Sequence, residues 1–133
     1  MPAFIRNRAS RRTVLLADDD PILRDLLVDF LAEEGYDVTP VADGMTALHH
    51  AIRATPSVIL LDQRMPRLDG LTFARIYLAL PGPHAPLVLM TGDPDARGDE
   101  LPRGVTLVRK PFALDRLVQV LKSLQPEKQL TAA

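Results

Sequence analysis

Asp18-Asp19-Asp20, Asp62, Thr91 and Lys110 are the residues of this 133-residue chain whose types and spacing could do chemistry together. Each closes a short apolar run: Thr13 to Ala17, Ser57 to Leu61, Pro86 to Met90 and, with Arg109 between, Val105 to Val108. Carboxylates that cluster repel one another, so something must offset the charge. A hard divalent cation does so with oxygen ligands and retained waters, which fits magnesium better than a soft metal. Asp18 and Asp19 suit that role. Asp20 stands directly before Pro21 and reads as a helix cap instead. Asp62 is placed to act as a nucleophilic carboxylate toward a phosphoryl group. Such an attack sets anion against anion, so the metal and Lys110 must neutralise the charge, while Thr91 can hydrogen-bond a phosphoryl oxygen. Lysine after a strand is a weak signal alone. Here it gains weight from its position and from being one of only three in the chain.

The elements that must position these residues follow from hydrophobic pattern. The four runs above read as strands one, three, four and five, and Tyr36 to Val41 as strand two. Val58-Ile-Leu-Leu61 suggests burial on both sheet faces. Ile22, Leu23, Leu26, Leu27, Phe30 and Leu31 recur at helical spacing after Asp20-Pro21, a strong start signal, and Gly35 ends that helix. Asp43 to Ala54 reads as a second helix with Ala47, Leu48, Ala51 and Ile52 inward, and Leu71 to Leu80 as a third. The last helix carries Leu114, Leu117, Val118, Leu121 and Leu124. Between strands four and five, residues 92–104 hold Gly92, Pro94, Gly98, Pro102 and Gly104, so a helix there is expected to last a turn or two at most. Strands alternating with helices imply an α/β fold, a doubly wound five-stranded parallel sheet with right-handed crossovers. In such sheets ligands bind beyond the carboxyl ends of the strands. Asp62, Thr91, Lys110 and the Asp18 triplet are therefore expected at one edge.

Composition narrows the function classes. The absence of cysteine excludes disulfides, thiolate metal sites and cysteine nucleophiles. None of His49, His50 and His84 follows a strand, so zinc is not expected, and the first two read as surface residues. Apolar runs such as Leu87 to Met90 are far too short to cross a bilayer, and no membrane insertion is expected. The net charge of −1 offers no overall field for nucleic acid, although Arg6, Arg8, Arg11 and Arg12 form a basic start that leaves −5 for residues 13–133. Asp outnumbers Glu by 13 to 4, which points to turns, caps and a site more than to helix faces.

Four segments together resemble the receiver domains of two-component response regulators of the chemotaxis-regulator type: Val14-Leu-Leu-Ala-Asp-Asp-Asp-Pro21, Leu60-Leu-Asp-Gln-Arg-Met-Pro-Arg-Leu-Asp-Gly70, Leu89-Met-Thr-Gly92 and Arg109-Lys-Pro-Phe112. The resemblance covers residues 13–125, leaving 1–12 as a basic arm and 126–133 as a tail. It implies the flavodoxin-like strand order 2-1-3-4-5. It implies also that Asp62 is the phosphoacceptor, that Asp18, Asp19, Asp62 and the Arg64 backbone carbonyl hold Mg2+, that Thr91 is the switch hydroxyl, and that Lys110 binds the phosphoryl group before a cis bond to Pro111. The implied partners are a sensor histidine kinase or a histidine phosphotransfer protein in the cytoplasm. With only a short tail after the domain, output is expected through a downstream protein contact or a phosphorelay, without direct DNA binding. Val120, outside the inward stripe, weakly suggests a dimer face.

Two features depart from the family. Leu107 stands where most members have an aromatic residue, so a simple aromatic rotamer switch is not expected, and the interrupted segment 92–104 falls on a face that commonly carries the signal. Gly92 replaces the usual alanine and keeps access open. Among rivals, a haloacid dehalogenase-like phosphatase with Asp18 as nucleophile leaves Asp62 without a role and lacks an acidic pair after Lys110. A flavin-binding module shares the strand order, but Asp18 to Asp20 would repel its phosphate. A receiver-fold binding module that is not phosphorylated conflicts with the full set of site residues.

Overall fold

A computed structural model describes residues 12–124. In chain order the elements are β1 (Arg12–Ala17), α1 (Pro21–Glu33), β2 (Tyr36–Val41), α2 (Gly44–Arg53), β3 (Val58–Asp62), α3 (Gly70–Ala79), β4 (Leu87–Thr91), β5 (Val105–Arg109) and α4 (Leu114–Ser123). All strand pairs are parallel and the order is β2-β1-β3-β4-β5, as expected. The basic arm, apart from Arg12 in β1, and the tail 126–133 lie outside the described residues.

Alternation along the strands divides the core between two faces. Leu15, Ala17, Ile59, Leu61, Leu87 and Leu89 meet α2 and α3 on one side. Val14, Leu16, Val58, Leu60, Val88 and Met90 meet α1 and α4 on the other. Every residue of β3 and β4 is buried, which is why these runs are continuously apolar until Asp62 and Thr91 close them.

Helix starts rest on aspartate caps. The Asp20 carboxylate accepts from the Ile22 and Leu23 amides, with Pro21 opening α1. Asp43 accepts from the Thr46 amide at 2.8 Å and from its hydroxyl at 2.9 Å, and Asp69 accepts from the Thr72 amide at 2.8 Å. Gly35, at φ +97°, carries the turn out of α1 where a side chain would be strained.

The expected inward stripes need correction at three places. In α1 only Leu27 and Leu31 are buried, each contributing roughly 1.5–3 kcal/mol by leaving water. Ile22 and Leu26, expected to belong to the same stripe, are 81% and 50% exposed, uncovered among the described residues. In α2, Ile52 is likewise exposed while Ala47, Leu48 and Ala51 are buried. In α4 the error runs the other way: Val120 is buried with Leu117, Val118 and Leu121, so it offers no dimer face. The helix expected to be short after β4 is a single 3₁₀ turn, Gly98–Glu100.

Asp43 also stands 3.7 Å from Arg67, whose φ is +71° in the loop after β3. The Thr46 amide, with smaller help from the Thr46 hydroxyl and Arg67, holds the Asp43 carboxyl below the usual carboxylate range. A depressed folded-state value means that the group stabilises the fold above the ordinary carboxylate range, an effect lost as pH falls through the folded value. Asp43→Ala is expected to lower stability by about 1 kcal/mol and to flatten that acid limb. Urea titrations at neutral and acidic pH check this, and an unchanged midpoint at neutral pH would refute it.

Candidate functional site

Register brings the polar residues together. Ala17 pairs with Leu61, Asp62 with Met90 and Thr91 with Arg109. The next residues, Asp18 beyond β1 and Lys110 beyond β5, therefore end level with Asp62 and Thr91 at the carboxyl edge of the sheet. Short loops keep them there. The Asp18 amide donates to the Val41 carbonyl at 3.2 Å, the Gln63 amide to Met90 at 2.9 Å and the Lys110 amide to Thr91 at 2.7 Å.

Carboxylate oxygens of Asp18, Asp19 and Asp62 all lie within 4.8 Å of one another. Asp18 and Asp62 are buried at 0% and 6% exposure, and Asp19 is exposed. Asp18 Oδ1 accepts from the Asp20 amide at 2.9 Å. Its Oδ2 is buried without a hydrogen-bond partner, the Lys110 ammonium standing 3.9 Å away, too far for a hydrogen bond. Burial is the main cause that pushes the Asp18 carboxyl above the usual range; the charges of Asp62 and Asp19 push the same way, against the Asp20 amide and Lys110. Lys110 Nζ meets Asp62 Oδ1 at 2.8 Å. One ammonium thus faces several carboxylates.

Thr91 is buried beside this cluster, and its Oγ1 accepts from the Asp93 amide at 3.0 Å. A cavity of about 400 Å³ opens over Asp62, lined among others by Arg64, Thr91, Gly92, Asp93 and Lys110. Gly70 keeps the floor close, since a Cβ there would lie 2.9 Å from the Asp62 carbonyl oxygen and 2.5 Å from Leu89 Cδ1. The Lys110–Pro111 bond is cis, as the resemblance implies. Asp20 is used as a cap and not in the cluster, while His49 and His50 are exposed on α2, and neither belongs to the carboxylate cluster.

The donor set suits a hard cation. Three carboxylates offer oxygen alone, and the buried Asp18 Oδ2 is an acceptor that no protein donor reaches. Sequence reasoning missed two supporting residues. Arg24 Nη1 donates to the Asp18 carbonyl at 2.8 Å, and the Gln63 side chain accepts from the Leu71 amide at 2.9 Å, tying the loop after Asp62 to α3. An arginine one turn into a helix carries no sequence signal for such a contact; Gln63 had only its adjacency to Asp62.

Fold and site together define a doubly wound α/β domain with an acidic pocket at the switch edge of its sheet. The profile of the response regulator receiver domain matches residues 14–122, and the chain belongs to that family. The chain is 34% identical over 117 residues to the probable transcriptional regulatory protein TcrX of Mycobacterium tuberculosis, covering 84% of this chain and 49% of that protein. It is 35% identical over 120 residues to the response regulator MprA of Mycobacterium leprae, covering 84% and 50%. The chain thus spans half or less of the curated relatives it matches. The receiver domain of a sensor histidine kinase from Pseudomonas aeruginosa, solved with a magnesium ion coordinated in its active-site cleft, superposes with a TM-score of 0.75 at 28% identity, covering 86% of this chain and 97% of that one. A response regulator receiver protein from Sinorhizobium medicae gives 0.77 at 26% identity, covering 86% and 94%. The haloacid dehalogenase and flavin-binding alternatives fall to this family assignment. Among the described residues no helix is long and apolar enough to cross a membrane.

An unpartnered buried carboxylate among like charges should strain the metal-free protein. Asp18→Asn is therefore expected to raise its stability by about 1–2 kcal/mol and to weaken any stabilisation gained on adding magnesium. Thermal melts with chelator and with magnesium read both effects, and an Asn variant less stable than the parent under chelator would contradict the assignment.

Proposed function

We propose that Asp62 accepts a phosphoryl group from a phosphohistidine, supplied by a sensor histidine kinase or a histidine phosphotransfer protein. The observation that carries this reading is the pairing of a nearly buried Asp62 with Lys110 at 2.8 Å beneath an open cavity. A carboxylate oxygen of Asp62 attacks phosphorus, the bond between phosphorus and the donor's imidazole nitrogen breaks, and that nitrogen leaves with the electron pair. Lys110 Nζ and the Thr91 hydroxyl are the donors placed to take up charge on the phosphoryl oxygens. The Thr91 Oγ1 accepts from the Asp93 amide and keeps its own O–H to donate to a phosphoryl oxygen. Asp18, Asp19, Asp62 and the Arg64 carbonyl are the proposed Mg2+ ligands, and the ion when bound supplies charge neutralisation for the attack of one anion on another.

The donor's footprint follows from the surface beside the site. An apolar groove of about 480 Å³ is lined by Leu23, Leu26, Pro111, Phe112, Leu114 and Lys110. Lys110 belongs to this groove and to the Asp62 cavity alike, so a protein delivering phosphate to Asp62 covers the groove as it docks. Exposed Ile22 and Leu26 extend the same patch. We propose that the phosphorylated domain then passes its signal on through a protein contact or by onward phosphotransfer, the two-state element being the loops after β3 and β4. The transcriptional and DNA-binding roles in the relatives' names belong to proteins that extend well beyond the matched region.

Incubation with magnesium and acetyl phosphate is expected to add one phosphoryl mass to the chain and none to Asp62→Asn, read by intact-mass spectrometry. A phosphoryl group on Asp18 instead would overturn the assignment. Absence of any mass gain, with kinase donors as well, would favour a binding module that is not phosphorylated. Ile22→Glu is expected to slow transfer from a cognate kinase at least about tenfold while leaving the acetyl phosphate rate unchanged, because only the protein donor uses the patch.

A further inference from the structure

Consecutive residues at the end of β5 send their charges to opposite places. Lys110 reaches Asp62. Arg109, exposed on the other side, turns its guanidinium to the segment that follows β4: Nη1 donates to the carbonyls of Asp93 at 3.3 Å and Pro94 at 3.4 Å, and Nη2 donates to the carbonyl of Ala96. A planar fork with several donors can span three carbonyls of one turn in a way an ammonium cannot.

That segment has little regular structure of its own. Its local bonds are short-range: the Asp95 amide to the Asp93 carboxylate at 2.9 Å, the Ala96 amide to the Asp93 carbonyl at 3.2 Å, and Arg97 with Asp99 and Glu100. These shape turns without attaching the segment to the sheet. Leu101 packs its far end against the core. The near end, Gly92 to Pro94, is a wall of the Asp62 cavity. The Asp93 amide also holds Thr91 Oγ1, so the position of this wall sets where the hydroxyl points.

We propose that Arg109 is a positioning residue for phosphoryl chemistry: its guanidinium clamps the Asp93–Ala96 backbone and so holds the wall over Asp62 and the Thr91 hydroxyl in place. This rests on the assignment of Asp62 as phosphoacceptor. In the segment that lacks a proper helix, and with Leu107 in place of an aromatic switch, the tie is carried by a side chain of β5 acting on backbone carbonyls. Loosening it admits water. In hydrolysis the oxygen of water bonds to phosphorus as the bond from phosphorus to the Asp62 oxygen breaks, which releases inorganic phosphate and restores the carboxylate, while a water proton passes to solvent. A firm wall slows that step by excluding water.

The test uses the full chain with Arg109→Met, which keeps the apolar stem and removes the donors, and Arg109→Lys, which keeps the charge and can satisfy fewer carbonyls. Arg109 is exposed, so neither change disturbs the core. Amide hydrogen exchange without any phosphodonor is expected to rise about tenfold at Asp93, Asp95, Ala96 and Arg97 in Arg109→Met, with β1 and β3 unchanged. After loading with acetyl phosphate and magnesium, the aspartyl-phosphate lifetime is expected to shorten about fivefold in Arg109→Met and less in Arg109→Lys. Unchanged exchange in the Met variant overturns the clamp. Raised exchange with an unchanged lifetime overturns the positioning role. Should the parent chain take up no phosphoryl group, the function proposed above falls, and the exchange result alone decides whether Arg109 clamps the segment.

Discussion

The repulsion between Asp18 and Asp62 is the constraint on which the rest of the structure depends. Their oxygens lie within 4.8 Å, so two like charges are forced together, and the burial of Asp18 adds a larger penalty to its charged form. Lys110 offsets part of this, 2.8 Å from Asp62 Oδ1 and 3.9 Å from the Asp18 oxygen that has no hydrogen-bond donor. A site that is electrostatically unfavourable without its ligands responds strongly to added charge. On the proposed reading a cation would relieve it and a phosphoryl group would reorganise it.

Such a cluster survives only on a scaffold that does not yield. The apolar strands β3 and β4 are buried on both faces, so Asp62 and Thr91 are the ends of rods packed between two helical layers. Moving either carboxylate to relieve repulsion would shift a strand and disturb close-packed side chains. Close contacts continue into the loops: Gly70 has no room for a Cβ above the Asp62 carbonyl, and a Cβ on Gly44 would come 2.1 Å from the Leu68 carbonyl oxygen. Beyond Thr91 the chain turns irregular, attached through Arg109 and Leu101, and this contrast places adjustable structure directly against fixed charge.

Hydrophobic periodicity made the fold legible, because buried strands and caps leave local traces: Val58 to Leu61 before Asp62, Asp20-Pro21 before α1, and glycines and prolines across 92–104. The site was legible for the same reason, since its acids close apolar runs. What local pattern could not supply is coverage. Ile22, Leu26 and Ile52 have the same chemistry and spacing as Leu27 and Leu31, and whether such a residue is buried depends on what packs over it; among the described residues Ile22 and Leu26 are left exposed, whereas Val120 packs into the core. Arginines were opaque too. Arg24 and Arg109 look like any solvated cation in sequence, and their partners are backbone carbonyls, which every residue has.

By itself the sequence determined the order of elements, the five-stranded parallel sheet and the acids, hydroxyl and lysine that close its strands, because these are written in short-range alternation and residue type. Only the tertiary structure decided that Asp18 Oδ2 is left without a donor, that an apolar patch adjoins Lys110, and that Arg109 ties the irregular segment to the sheet. Those outcomes depend on strand register and on the directions of long side chains between segments far apart in the chain, and neither quantity is encoded in any one stretch of it.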